Sequence, residues 1–167
     1  VTGIQNVYAL KLLTEYGISP QWLILYRLPG ERADHYLEMA RLIPSIHHLP
    51  PPVGLMAPVE MHRFSPYFAQ AHEYAYAVRP KRWYGELFPK ETYRFQDVAY
   101  YFDANWRDVS DDRSIYQPVR RALSDWIGVW RDAPEPPRLE WRRVNRDIVE
   151  IIDSRTGSLR RFRLKDT

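Results

Sequence analysis

Histidine is the side chain most ready to bind a metal or move a proton near neutral pH. This chain has five: His35, His47, His48, His62 and His72. Their spacing matches no zinc signature, and the adjacent His47 and His48 do not easily point at one ion from regular structure. They are read as structural or surface residues, and no metal site is expected. The chain has no cysteine. That excludes disulfides, thiolate-ligated zinc and any iron–sulfur cluster held by its own sulfur ligands.

Other catalytic patterns are sparse. Pro29-Gly30-Glu31 carries a single glycine, so it reads as a turn into a helix rather than a phosphate loop. Ser65-Pro66 lacks the glycines of a nucleophile elbow. Asp111-Asp112 and the pair Asp97 and Asp103 read as solvated loop acids. Two sets of residues follow apolar runs, where parallel α/β folds build their sites. Tyr26, Arg27 and Glu31 form the first set, and Arg63, Ser65 and Tyr67 the second. Both are candidates to line a site, and Arg63 could pair with a carboxylate. No residue is assigned as catalytic.

The elements that must position these residues follow from periodicity. Ile4, Val7, Tyr8 and Leu12 keep helical spacing, and Gly17 stands where a helix C-terminal glycine belongs. Residues 21–28 form a short apolar run, read as a strand buried on both faces. A second helix is expected over 31–43, with Ala33, Tyr36, Leu37, Ala40 and Ile43 on one stripe and Pro44 ending it. The next strand is expected over 59–64, so helix, strand, helix, strand suggests a piece of a parallel sheet or barrel. Residues 65–116 show no clean period and read as an aromatic-rich wrap with short helices near 82–88 and 91–98. Helical spacing returns at Val119, Ala122, Leu123, Trp126 and Trp130, with Pro118 suited to a first helical position. After the stiff Pro134-Glu135-Pro136-Pro137, three strands are expected over 139–144, 148–153 and 159–164, as an antiparallel meander.

The fold class expected is therefore α/β, ending in a helix and a small antiparallel meander. The division expected is 1–80, 81–133 and 134–167. The net charge is only +3, but residues 138–167 hold nine Lys or Arg against five Asp or Glu. Trp141-Arg142-Arg143 and Arg160-Arg161-Phe162-Arg163 could stack bases and hold phosphates, but a sheet with one packed and one wet face explains them equally. Nucleic acid is not the preferred partner. Arg142 and Arg143 are candidates to bind an acidic peptide added to the meander edge. With no apolar run near 18 residues and no basic-then-apolar leader, a cytoplasmic location and no membrane partner are expected.

Several strings resemble one family. Leu25-Tyr26-Arg27-Leu28-Pro29-Gly30-Glu31 is similar to its motif Leu-Tyr-Gly-Phe-Pro-Gly-Glu. Ile46-His47-His48-Leu49-Pro50-Pro51-Pro52, Arg63-Phe64-Ser65-Pro66-Tyr67-Phe68 and Val78-Arg79-Pro80 follow in the family's order. Ala99-Tyr100-Tyr101-Phe102-Asp103 and Asp153-Ser154-Arg155 complete it. Together they resemble the C-terminal portion of the radical SAM proteins that mature ribosomally made peptides, many with an N-terminal cobalamin-binding domain and several assigned as C-methyltransferases.

That resemblance implies residues 1–80 as the end of a partial parallel barrel, residues 81–133 as a cap, and methyl transfer to an unactivated carbon of a precursor peptide. It also implies SAM, a [4Fe–4S] cluster and cobalamin for the parent enzyme, none bound by this chain alone. The partners implied are the precursor peptide and upstream barrel and cobalamin-binding domains, in the same or a separate chain. Tyr26, Arg27, Glu31, Arg63, Ser65 and Tyr67 would line SAM or substrate. Two departures stand out. The family's Cys-x3-Cys-x2-Cys motif is absent, so no radical is expected from this chain alone. Arg27-Leu28 replaces Gly-Phe, putting a long charged side chain where glycine lets a ligand approach. The alternatives are a free-standing accessory protein or a non-enzymatic peptide-binding module.

Overall fold

The computed structural model describes residues 2–89 and 91–165. In chain order the main elements are α1 (Gly3–Glu15), β1 (Leu25–Tyr26), α2 (Ala33–Leu42), β2 (Ala57–Pro58), β3 (Met61–His62), β4 (Ala75–Pro80) and β5 (Tyr101–Trp106). They continue as α3 (Gln117–Asp132), β6 (Leu139–Arg143), β7 (Ile148–Asp153) and β8 (Arg160–Lys165). The chain is mixed α/β, and it divides into two compact units. One comprises residues 1–24, 33–56 and 114–167; the other comprises 25–32 and 57–113. Among the described residues no helix is long and apolar enough to cross a membrane.

In the first unit, α1 starts on a capping box: Gln5 N donates to Thr2 Oγ1, and Thr2 N donates to Gln5 Oε1 at 2.7 Å. It stops at Gly17, whose φ of 70° only glycine adopts without cost. There Ile18 N donates to Leu13 O and Gly17 N to Thr14 O, the paired bonds of a Schellman end. α2 buries Tyr36, which meets Tyr116 edge-on at 5.0 Å. A 3-10 turn, Ile43–Ile46, follows because Pro44 cannot continue the α-helical ladder. α3 turns Val119, Leu123 and Trp126 inward at spacings of four and three, and all three are fully buried. The three terminal strands form the expected antiparallel meander, in the order β6-β7-β8. Its second turn places Gly157 at φ 84°.

The second unit departs from expectation. A strand over 22–27, buried on both faces, is not what forms. Only Leu25–Tyr26 is in a ladder, and Leu25 is 44% exposed. Its parallel partner is Ala57–Pro58, not the run 59–64. Both ends of the pair have a backbone cause. Arg27 takes φ 61° and turns the chain out of extension. Pro58 has no N–H to donate. Met61–His62 pairs antiparallel with β5, and Phe64 at φ 69° ends the run.

The region 65–116 is not a strandless wrap either, since β4 and β5 pair antiparallel there, giving the order β3-β5-β4. A register shift between Ala75 and Ala77 breaks the period-two signal that a strand leaves in sequence. Val59, Met61, Ala75, Tyr84, Ala99, Phe102 and Trp106 form this unit's core. Single helical turns form at Tyr84–Leu87 and Phe95–Val98, inside the two short helical segments expected.

Candidate functional site

Tyr26 ends β1, and Arg27 and Glu31 lie in the loop at its carboxyl end. The loop is fastened by Glu31. Its Oε2 accepts the Arg27 amide at 2.9 Å, and its Oε1 accepts the Ser110 amide at 3.2 Å. Gly30 N donates to Asp108 O at 2.9 Å, and Glu31 N closes a turn onto Leu28 O. Two non-glycine residues at positive φ, Arg27 and Asp108, thus lie in the two segments that the Glu31 carboxylate ties together. A carboxylate bonded to two amides holds the strained backbone in place. Ser110 and Asp108 lie too far along the chain for local spacing to reveal them.

The second set is also engaged. Arg63 Nε donates to Ala99 O at 2.5 Å and its Nη2 to the Gln96 carbonyl. The guanidinium lies 5.2 Å from the ring centres of both Phe68 and Phe102, which are 4.7 Å from each other, so one cation contacts both members of a ring pair. Ser65 Oγ accepts the Phe68 amide at 3.1 Å and caps the turn Pro66–Ala69. Tyr67 meets Tyr74 and Trp106 edge-on at 5.0 and 5.4 Å. Leu28, from the first loop, and Tyr67 pack on the same aromatic core. The two sets therefore flank one core, but Glu31, Arg63 and Ser65 spend their polar atoms on the chain's own backbone.

In the other unit, the segment 46–52 is irregular and buried, so its carbonyls have no ladder. Three indoles supply the donors. Trp130 Nε1 donates to His47 O at 2.7 Å, Trp126 Nε1 to Leu49 O at 3.0 Å and Trp22 Nε1 to Pro50 O at 3.1 Å. His47 also stacks on Trp126 at 5.8 Å. His47 Nε2 and His48 Nδ1 are buried without hydrogen-bond partners, and burial holds both imidazoles below the usual histidine range. Asp153-Ser154-Arg155 is a second fastening. Arg155 makes a fork to Asp153 at 2.9 and 2.8 Å and also donates to Ser45 O at 2.7 Å. The adjacent guanidinium brings Asp153 down to a pKa of about 2.

Arg142 and Arg143, the candidates for binding an acidic peptide, lie on β6. Arg142 is committed: its Nε and Nη2 both reach Glu150 Oε2, at 2.9 and 2.6 Å. Arg163 Nε approaches the other oxygen at 3.3 Å. Glu150 keeps only 3% of its side chain exposed, and the two guanidiniums, Arg142 foremost, hold its carboxyl below the usual range. One acid amid isoleucines, between arginine-rich strands, was the sequence signal for this pairing and went unread. Arg143 donates to Arg146 O at 3.0 Å.

Among the described residues no group of three or more His, Cys, Asp or Glu is placed to hold a metal ion. No family model, curated protein or solved structure matches the chain.

Proposed function

We propose that this chain is the C-terminal part of a cobalamin-dependent radical SAM enzyme that modifies a ribosomally made peptide. One observation supports this reading above the string resemblance. β1 and β2 pair in parallel with a helix between them in sequence, yet among the described residues neither has a second ladder partner. Parallel strands are ordinarily buried within larger covered sheets. A two-residue pair with Leu25 largely exposed is the expected look of a sheet continued by strands from outside this chain.

The residues here do not suit the cluster, because cysteine is absent and iron–sulfur centres need thiolates. In this reading the radical chemistry, which leads to methyl transfer onto a peptide carbon, belongs to the upstream domains. This chain's part is structural. Glu31 fixes the strand-end loop, and Arg27 and Tyr26 stand at its rim. The edge-binding alternative has less support, because Arg142 is already bound to Glu150 and arginines on outer strands discourage strand addition.

The test is to read the frame upstream of Val1, purify its whole product without oxygen and assay SAM cleavage to 5′-deoxyadenosine. The reading expects an in-frame Cys-x3-Cys-x2-Cys and cleavage. A frame lacking those cysteines, or a cluster-loaded product that leaves SAM intact, would end it.

A further inference from the structure

Side chains hold three alternate carbonyls of the chain after α2. Ser45 O accepts Arg155 Nη1 at 2.7 Å, His47 O accepts Trp130 Nε1 at 2.7 Å and Leu49 O accepts Trp126 Nε1 at 3.0 Å. Between these fastenings stand two adjacent imidazoles. His47 is only 9% exposed and stacks on Trp126 at 5.8 Å. Its Nε2, like the Nδ1 of His48, is buried and meets no hydrogen-bond partner among the described residues.

Rings placed in this way suit one charge state. A neutral imidazole has a single N–H and can keep it on the other nitrogen, leaving a bare lone pair inside. An imidazolium has N–H on both nitrogens, so the buried one becomes a donor with nothing to bond. A charged donor left unpaired in the interior costs far more than an unpaired lone pair. The surrounding charges do not offset that cost. Asp125 of α3 is the charge that reaches His47, and it is exposed to solvent. Arg155 and Asp153 are those that reach His48, and they are forked to each other at 2.9 and 2.8 Å. Among the described residues α2, which packs on the same turn, sends no charge to either ring. Two cavities adjoin the rings, of about 490 Å³ beside His48 and about 760 Å³ beside His47. Their charged linings are Lys11 with Glu15 and Arg138 with Glu135, each pair closed at 2.6 Å, together with Glu140 and Arg155. The cavities give the rings room to turn outward.

We propose that His47 and His48 form an acid-operated latch: on taking up protons the two rings leave the interior, and residues 45–49 come away from Trp126, Trp130 and Arg155. Burial keeps both rings neutral in the closed form. The closed form therefore refuses protons that the released chain accepts. Its stability is complete above the ordinary histidine range and falls as pH drops through it. Arg155 belongs to the turn between β7 and β8, so opening also unties the meander from the chain after α2. None of this depends on the radical SAM reading.

The experiment unfolds the whole chain in urea at pH 7.5, 6.5 and 5.5, followed by circular dichroism. With an unfolded pKa of about 6.5, a histidine kept neutral by the fold lowers the folding constant by up to about tenfold over that range. The two together should give a fall of about tenfold to a hundredfold. His47→Gln with His48→Gln should remove most of it, and each single variant about half on a logarithmic scale. A constant stability, or a fall that the double variant keeps, would overturn the proposal. A second measurement needs no variant. In magnetic resonance spectra of the native chain, protonation of the two rings should coincide with loss of exchange protection at the Trp126 and Trp130 indole N–H groups. Rings that protonate while both indoles stay protected would overturn the latch, whatever the variants do.

Discussion

Replacing Trp126 by phenylalanine tests the idea that indoles hold the irregular segment 46–52. Trp126 is fully buried and donates to Leu49 O at 3.0 Å. Phenylalanine keeps a ring but removes the donor, leaving a buried carbonyl unsatisfied at a cost of about 1–3 kcal/mol. The smaller ring gives up about 1 kcal/mol of apolar burial and leaves space beside His47 and Trp22, its ring neighbours at 5.8 and 5.7 Å. The expected loss is about 3 kcal/mol. For a chain of this length that is a fall in melting temperature of roughly 6–12 °C. Trp22 and Trp130 make the same kind of bond in half-buried positions. Water can replace the donor there, so each phenylalanine variant should lose about 1 kcal/mol. Urea unfolding followed by circular dichroism ranks the three. If Trp126→Phe costs no more than Trp22→Phe, the indole–carbonyl bonds are incidental and the segment is held by packing alone.

Two further outcomes follow from the fastenings. Asp153 has its pKa lowered to about 2 beside Arg155. Its ion pair therefore stabilises the fold fully above the ordinary carboxylate range, and that part is lost as pH falls through about 2. Solvent screening leaves it worth about 1 kcal/mol. The stability gap between the native chain and Asp153→Asn should narrow as pH drops from 4 toward 2, and a constant gap in urea titrations refutes the pairing. Glu31→Ala strands the Arg27 and Ser110 amides at a cost of about 2 kcal/mol. Hydrogen exchange at those two amides should accelerate more than tenfold, and unchanged rates would show that the carboxylate does not hold the loop.

Legibility in the sequence followed how local the cause was. α1, α2, α3 and the meander each carry their own period and their own stop, such as Gly17, Pro44 and Gly157. They form within a few residues of where the spacing puts them. The hairpin of β4 and β5 was hidden for two reasons. A bulge between Ala75 and Ala77 shifts the alternation. Its aromatics also serve both the core and the surface: Phe102 and Trp106 point in, while Tyr76 and Tyr101 point out. The parallel pair was misplaced because the apolar run 21–28 looks the same whether it is covered or open. Only Pro58 and Arg27, through backbone geometry, decide where the ladder stops. At the candidate site, Tyr26, Arg27 and Glu31 do follow a parallel strand, but Arg63, Ser65 and Tyr67 follow the antiparallel β3, and the partners of neither set were legible. Glu31 binds an amide 79 residues away and Arg63 a carbonyl 36 away, and no local pattern encodes either.

Four of the six strings that carry the family resemblance share a physical feature, irregular backbone or the side chains that bond it, whereas Val78-Arg79-Pro80 and most of Ala99–Asp103 lie in β4 and β5. Glu31 does this for the loop after β1, Ser65 for the turn after β3, Arg63 for the Gln96 and Ala99 carbonyls before β5, and Arg155 for the turn at Ser45. The segment 46–52 receives the same service from three tryptophans. Buried irregular backbone is costly unless paired, so residues with such roles are constrained by folding before any chemistry is asked of them. A match at such residues therefore bears on backbone packing rather than on catalytic groups. Bonding capacity is left over beside Leu25, where among the described residues the parallel pair has no third strand.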